Sequence, residues 1–99
     1  VTASSPEEAR LLGSMAVERR LAACAQVSGP ITSTYWWQDE VTTSDEWVCV
    51  LKTRADLFGA LARALREAHS YDVPEIVATP ITGDTAYLSW IDEETLGLK

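Results

Sequence analysis

The chain has 99 residues, 46% of them apolar, and its 15 acidic against 8 basic side chains give a net charge of −7. One domain of this length buries only roughly 60–70% of the surface its unfolded chain exposes, so its stability margin alone is thin and association would widen it. The Lys and Arg are scattered, which excludes the basic footprint needed to bind nucleic acid non-specifically or to dock on an acidic membrane.

No apolar run reaches the roughly 20 residues of a membrane span, and the opening residues hold no signal-like apolar stretch, so the expected compartment is the cytoplasm. Val1–Ala3 read as the end of a strand, which leaves the first strand nearly absent. Ser5, Pro6 and Glu8 supply an N-cap, a proline at the first helical position and a capping-box acid. The helix they open carries Ala9, Leu12, Met15 and Ala16 on one face and ends near Arg20, with Arg19 and Arg20 complementing its dipole.

Residues 22–38 form the second strand, interrupted at Ser28, Gly29 and Pro30 by a bulge, since proline cannot donate to a ladder. Beyond it Tyr35 and Trp37 share one face and Trp36 takes the other, so the three aromatics cannot all cover one core. Gln38, Asp39 and Glu40 turn the chain back, and Ser44, Asp45 and Glu46 lead into the central strand. There Trp47, Cys49 and Leu51 alternate with Val48, Val50 and Lys52, so both faces are largely apolar. If these strands pair as a hairpin, the residue facing Cys49 lies near Gly29, far from Cys24, and two free thiols are expected.

Thr53 and Asp56 have capping-box spacing and predict the start of a second helix, with Leu57, Leu61, Leu65 and Ala68 on its packing face. Pro74 pushes Val73 out of the helical region, so residues 69–72 make an elbow that returns the chain into an edge strand over Ile76–Ile81, which contains Pro80. Gly83 and Asp84 open a short C-terminal helix with Tyr87, Leu88, Trp90 and Ile91, whose end, crowded by Asp92, Glu93 and Glu94, is expected to fray. The order β-α-β-β-α-β plus a terminal helix is an α+β, ferredoxin-like antiparallel sheet in one domain over residues 1–99. One sheet face is left bare, and the outward Trp36 and Trp37 argue that another copy covers it.

The sequence holds no glycine-rich phosphate loop, no G-x-S-x-G turn and no paired-histidine metal motif, and its single histidine, His69, gives no support to an enzyme. His69, Tyr71, Asp72 and Glu75 form the densest polar cluster, donors of a kind that zinc or copper takes, though helix-capping and turn roles use the same residues. Lys52 at the end of a central strand needs an anionic partner, for which Glu75 is the candidate. Trp37, Lys52, Tyr71 and Glu75 are therefore candidates to line a ligand-binding cleft, or to pack in a subunit interface.

The segments RLAACAQV, GPITSTYWWQDE, VLKTR, the H-x-Y-x-V-P-E-I run from His69 to Ile76, and YLSWI together resemble the CutA divalent-cation tolerance family over nearly the whole chain. The resemblance implies a homotrimer of ferredoxin-like subunits with PII-like architecture and a role in tolerance to divalent ions, copper first and zinc second. It implies metal ligation by Cys24 of the LAAC segment and His69 of the elbow. Val1 stands where some members carry a further cysteine, and His69-Ser70-Tyr71 where many read His-Pro-Tyr. Two alternatives stay open: a PII-like sensor binding a small anion in an intersubunit cleft with Lys52, Tyr71 and Glu75, and a structural trimer serving as a scaffold for an unidentified protein partner.

Overall fold

The structure, a computed structural model, describes residues 1–96; the last three residues of the expected domain lie outside the described residues. Strand β1 (Thr2–Ala3) leads into helix α1 (Pro6–Glu18), followed by the long strands β2 (Cys24–Trp37) and β3 (Glu40–Lys52). A single 3-10 turn (Ala55–Leu57) runs into helix α2 (Phe58–Ala68), and helix α3 (Thr85–Glu94) follows an irregular stretch. The sheet is antiparallel in the order β1-β3-β2, so β3 is the strand with a ladder on each side.

Helix α1 begins where its cap signal predicts: Ser5 Oγ accepts from the Glu8 N–H at 3.1 Å, satisfying one orphan donor. The Glu8 carboxylate reaches back to Ser4, accepting from its N–H and hydroxyl at 3.4 Å, and not to the cap residue itself. At the other end, the Leu21 and Ala22 N–H groups both bond the Ala16 carbonyl, and Arg20 takes a positive φ of 61°. The capping box expected at Thr53 does not form. The Thr53 hydroxyl donates to the Leu21 carbonyl at 2.6 Å, and Asp56 pairs with Arg54 at 2.8 Å, so the helical run starts later, through the 3-10 turn.

Strands β2 and β3 pair along their whole length and change register between Ser28 and Ile31. The bulge falls at the expected Ser28-Gly29-Pro30 interruption. Gly29, at φ +146°, packs so tightly on Trp47 that an added Cβ would sit 2.6 Å from the indole. Cys49 faces Val27, two residues before the expected Gly29, and Cys24 faces Lys52; both thiols are free. Gln38 and Asp39, both at positive φ, close the hairpin in a two-residue turn whose twist matches that of the strands. The hairpin stretches the molecule to 46 Å against 25 and 22 Å across, with Trp36 74% exposed near its tip.

The core lies between the helices and one face of the sheet, built from Ala3, Ala9, Leu12, Ala16, Cys49 and Leu61 with their neighbours. In α2 the buried face is Leu61, Ala64 and Leu65, while the expected Ala68 is exposed. Helix α3, capped by Asp84 accepting from the Ala86 N–H, seats Ile91 and is tied down by Arg20–Glu94 at 2.7 Å, which offsets the expected fraying. Among the described residues no helix is long and apolar enough to cross a membrane.

The strand expected over Ile76–Ile81 does not form within the chain. The free edge of β1 is two residues long, and its Thr2 carbonyl is taken by the His69 ring. Pro80 has no N–H to offer a ladder. Ile76 reaches the core, but Val77 and Ile81 are exposed.

Helix α1 crosses β3 at Gly13, where a Cβ would meet Ala25 Cβ at 2.9 Å and Cys49 Sγ at 3.2 Å. Gly13→Ala is therefore expected to cost about 1–3 kcal/mol by overpacking, seen as a lower urea midpoint with unchanged slope. Gly59→Ala, where nothing lies within 4 Å of the new methyl, is expected to gain up to about 1 kcal/mol of helix propensity in the same titration.

Candidate functional site

A groove of about 790 Å³ opens where the hairpin leaves the body of the sheet. Ser33–Trp37 form one wall, the elbow residues Tyr71, Val73, Pro74 and Glu75 the other, with Thr2 and Glu46 at the floor. Three of the four expected cleft residues, Trp37, Tyr71 and Glu75, meet here.

Lys52 does not. It ends β3 opposite Cys24, six residues from Glu46 and so about 20 Å away along the strand. Its ammonium donates to Gln26 Oε1 on the neighbouring strand, so the expected partnership with Glu75 is replaced by a local one.

Glu46 is the residue that sequence reasoning passed over. It shares a strand face with Val48 and with Thr2, the β1 residue that pairs Val48, and that alternation is the signal that places it beside the groove. It is 8% exposed, and its Oε2 accepts from the Tyr71 hydroxyl at 2.9 Å. Burial and this hydrogen bond push the Tyr71 phenol up to about 12, so it is a neutral donor at every physiological pH.

The elbow that carries Tyr71 is held at three consecutive residues, His69, Ser70 and Tyr71. The chain leaves the α2 helix at His69, whose N–H still bonds the Leu65 carbonyl at 2.9 Å while its own backbone is extended. The Ser70 N–H donates to Glu8 Oε2 at 3.0 Å, and the Tyr71 N–H donates to His69 Nδ1 at 3.0 Å. Burial works against the ionised Glu8, but the hydrogen bonds from Ser70 overcome it and hold the carboxyl below its ordinary value. His69 Nε2 lies 2.7 Å from the Thr2 carbonyl.

Cys24 and His69, the pair expected to ligate a metal, are not brought together in one chain. Cys24 faces Lys52 and His69 bonds Thr2, which faces Val48; four residues of β3 separate these levels, about 13 Å. The Cys24 thiol lies 3.6 Å from the Tyr87 hydroxyl, beside the Tyr87–Trp90 ring pair of α3. Among the described residues no group of three or more His, Cys, Asp or Glu side chains is arranged to hold a metal ion.

Residues 1–94 match the family model described as CutA1 divalent ion tolerance protein. The Divalent-cation tolerance protein CutA of Thermus thermophilus is 42% identical over 96 residues, covering 96% of this chain and 93% of that one. A chloroplastic Protein CutA 1 of Oryza sativa is 38% identical over 96% of the chain, which spans 54% of the rice protein's length. Among solved structures, the Thermus thermophilus protein superposes with a TM-score of 0.91 at 42% identity, covering 95% of this chain and 92% of that one. The periplasmic divalent cation tolerance protein CutA of Archaeoglobus fulgidus gives 0.90 at 37% identity, covering 94% and 91%. Matched along nearly all of its length in sequence and in fold, the chain belongs to the CutA1 divalent ion tolerance family.

Proposed function

We propose that the chain meets the role of its family by binding a divalent cation directly, copper(II) or zinc, in the groove between hairpin and elbow, as one subunit of a homotrimer. One observation carries this reading: the groove lining includes two carboxylates, Glu46 and Glu75, and neither lysine nor arginine. A carboxylate as withdrawn from water as Glu46 favours a cation nearby, because Coulomb attraction grows as solvent screening falls. Two carboxylates are fewer donors than zinc or copper takes, so water or a neighbouring copy completes the shell.

The homotrimer is supported by the family resemblance and by the apolar side chains left uncovered on one chain, Trp36, Val41, Val73 and Val77 above all. A small-anion sensor loses support because Lys52 stands outside the groove and is engaged by Gln26. A binding role, not catalysis, fits a chain whose single histidine is engaged through both ring nitrogens and whose Cys24 thiol meets the Tyr87 phenol, not an imidazole. Two free thiols suit a reducing compartment and support the cytoplasm.

Isothermal titration of the reduced, metal-stripped protein with copper(II) and with zinc is expected to give saturable binding that the Glu46→Gln, Glu75→Gln double variant loses and Cys24→Ser keeps. Binding that survives the acid substitutions and disappears with Cys24→Ser would move the ion to the other end of the sheet. Sedimentation equilibrium is expected to return three copies per particle; a monomer at micromolar concentration would sink the assembly. The raised Tyr71 phenol also sets a pH dependence. Its folded value, about 12, lies above the ordinary 10, so the stability it contributes is complete below pH 10 and is lost as pH rises towards 12. Urea midpoints from pH 8 to 11.5 should therefore fall more steeply at the alkaline end in the wild type than in Tyr71→Phe.

A further inference from the structure

We propose that His69 is a positioning residue of the groove and not a ligand of the ion: its ring fixes the elbow so that the Tyr71 phenol is set on Glu46. The functional consequence rests on the cation reading of the groove; the positioning itself rests on geometry alone.

The partners of the imidazole dictate its tautomer. A backbone carbonyl only accepts, so Nε2, 2.7 Å from the Thr2 oxygen, carries the proton. A backbone N–H only donates, so Nδ1, 3.0 Å from the Tyr71 nitrogen, offers its lone pair. A metal takes imidazole through an unprotonated nitrogen, and the one such nitrogen here is already spent on Tyr71. Coordination at His69 would therefore release the elbow that forms the groove wall.

The same ring is well built for the other task. Three consecutive N–H groups at the turn are each satisfied, by the Leu65 carbonyl, the Glu8 carboxylate and His69 Nδ1. The ring also lies against that of Tyr71, centroids 4.6 Å apart and tilted by 47°. With the Tyr71 N–H and the two before it held, its side chain spans to Glu46 Oε2 at 2.9 Å. The bond from Nε2 to the Thr2 carbonyl ties this assembly to β1, whose Thr2 also lines the groove.

Asparagine separates the two roles. Its side-chain oxygen occupies the place of Nδ1 and hydrogen-bonds the N–H two residues on, whereas it supplies no imidazole. In His69→Asn the zinc dissociation constant is expected to stay within about threefold of wild type, and in His69→Leu to rise about tenfold or more, the loss of the elbow hydrogen bonds. The direct readout is the ζ-carbon resonance of Tyr71 in protein labelled with ¹³C-tyrosine, assigned by its disappearance in Tyr71→Phe. It should stay in place in His69→Asn and move towards the value of a solvated tyrosine in His69→Leu. If His69→Asn loses zinc as completely as His69→Leu while the Tyr71 resonance stays put in both, His69 is a ligand and the proposal is overturned. If the wild type binds no zinc, the cation reading fails by itself; the Tyr71 resonance then decides, its movement in His69→Leu upholding the positioning role and its constancy ending it.

Discussion

The molecule depends on one strand. β3 is the strand with hydrogen-bonded neighbours on both sides, and it belongs to two environments along its thirteen residues. Its second half, around Cys49, is pressed against α1 through the missing side chain of Gly13; its first half runs out beside β2 into an arm with water on both faces. Glu46 stands at the boundary, the residue of β3 nearest the arm that is still buried. A carboxylate at that border is buried yet lines the groove, and the less water screens it, the stronger its pull on a ligand of opposite charge.

Most of the fold could be read from spacing. The Ser5-Pro6-Glu8 start of α1, the interruption at Gly29-Pro30, the turn at Gln38-Asp39 and the Asp84 cap of α3 are local signals, each set by the chemistry of a few adjacent residues, and each is found where expected. Two features that escaped are governed by distant partners. Thr53 has the right spacing for a capping box, but its hydroxyl is claimed by the carbonyl of Leu21, thirty-two positions earlier. Residues 76–81 have the composition of a strand, but a strand exists only where an edge accepts it, and within one chain β1 offers two residues with one carbonyl occupied.

The site was legible to the same extent and for the same reason. Trp37, Tyr71 and Glu75 meet because the hairpin and the elbow are both anchored on β1 and β3, a relation that follows from strand order. Lys52 lies outside the groove of the single chain because strand order says nothing of level along the strand, and six residues of β3 separate it from Glu46. His69 was drawn towards a metal by its place in a polar cluster and by the family resemblance that pairs it with Cys24. Its two ring nitrogens face the Thr2 carbonyl and the Tyr71 N–H, and neither backbone group leaves any mark on the identity of the residue that bears it.

The bulge in β2 carries a consequence for solubility. β2 lies at the margin of the sheet, and fourteen residues with an open side are long enough to template runaway strand addition, the first step towards fibrillar aggregates. The register break between Ser28 and Ile31, with a proline that has no N–H to give, divides this margin into two short rows of hydrogen-bonding groups that no single straight strand can match. Only a partner bent to the same degree, at the same position, can complete both rows, so the kink discriminates between ordered association and indiscriminate stacking.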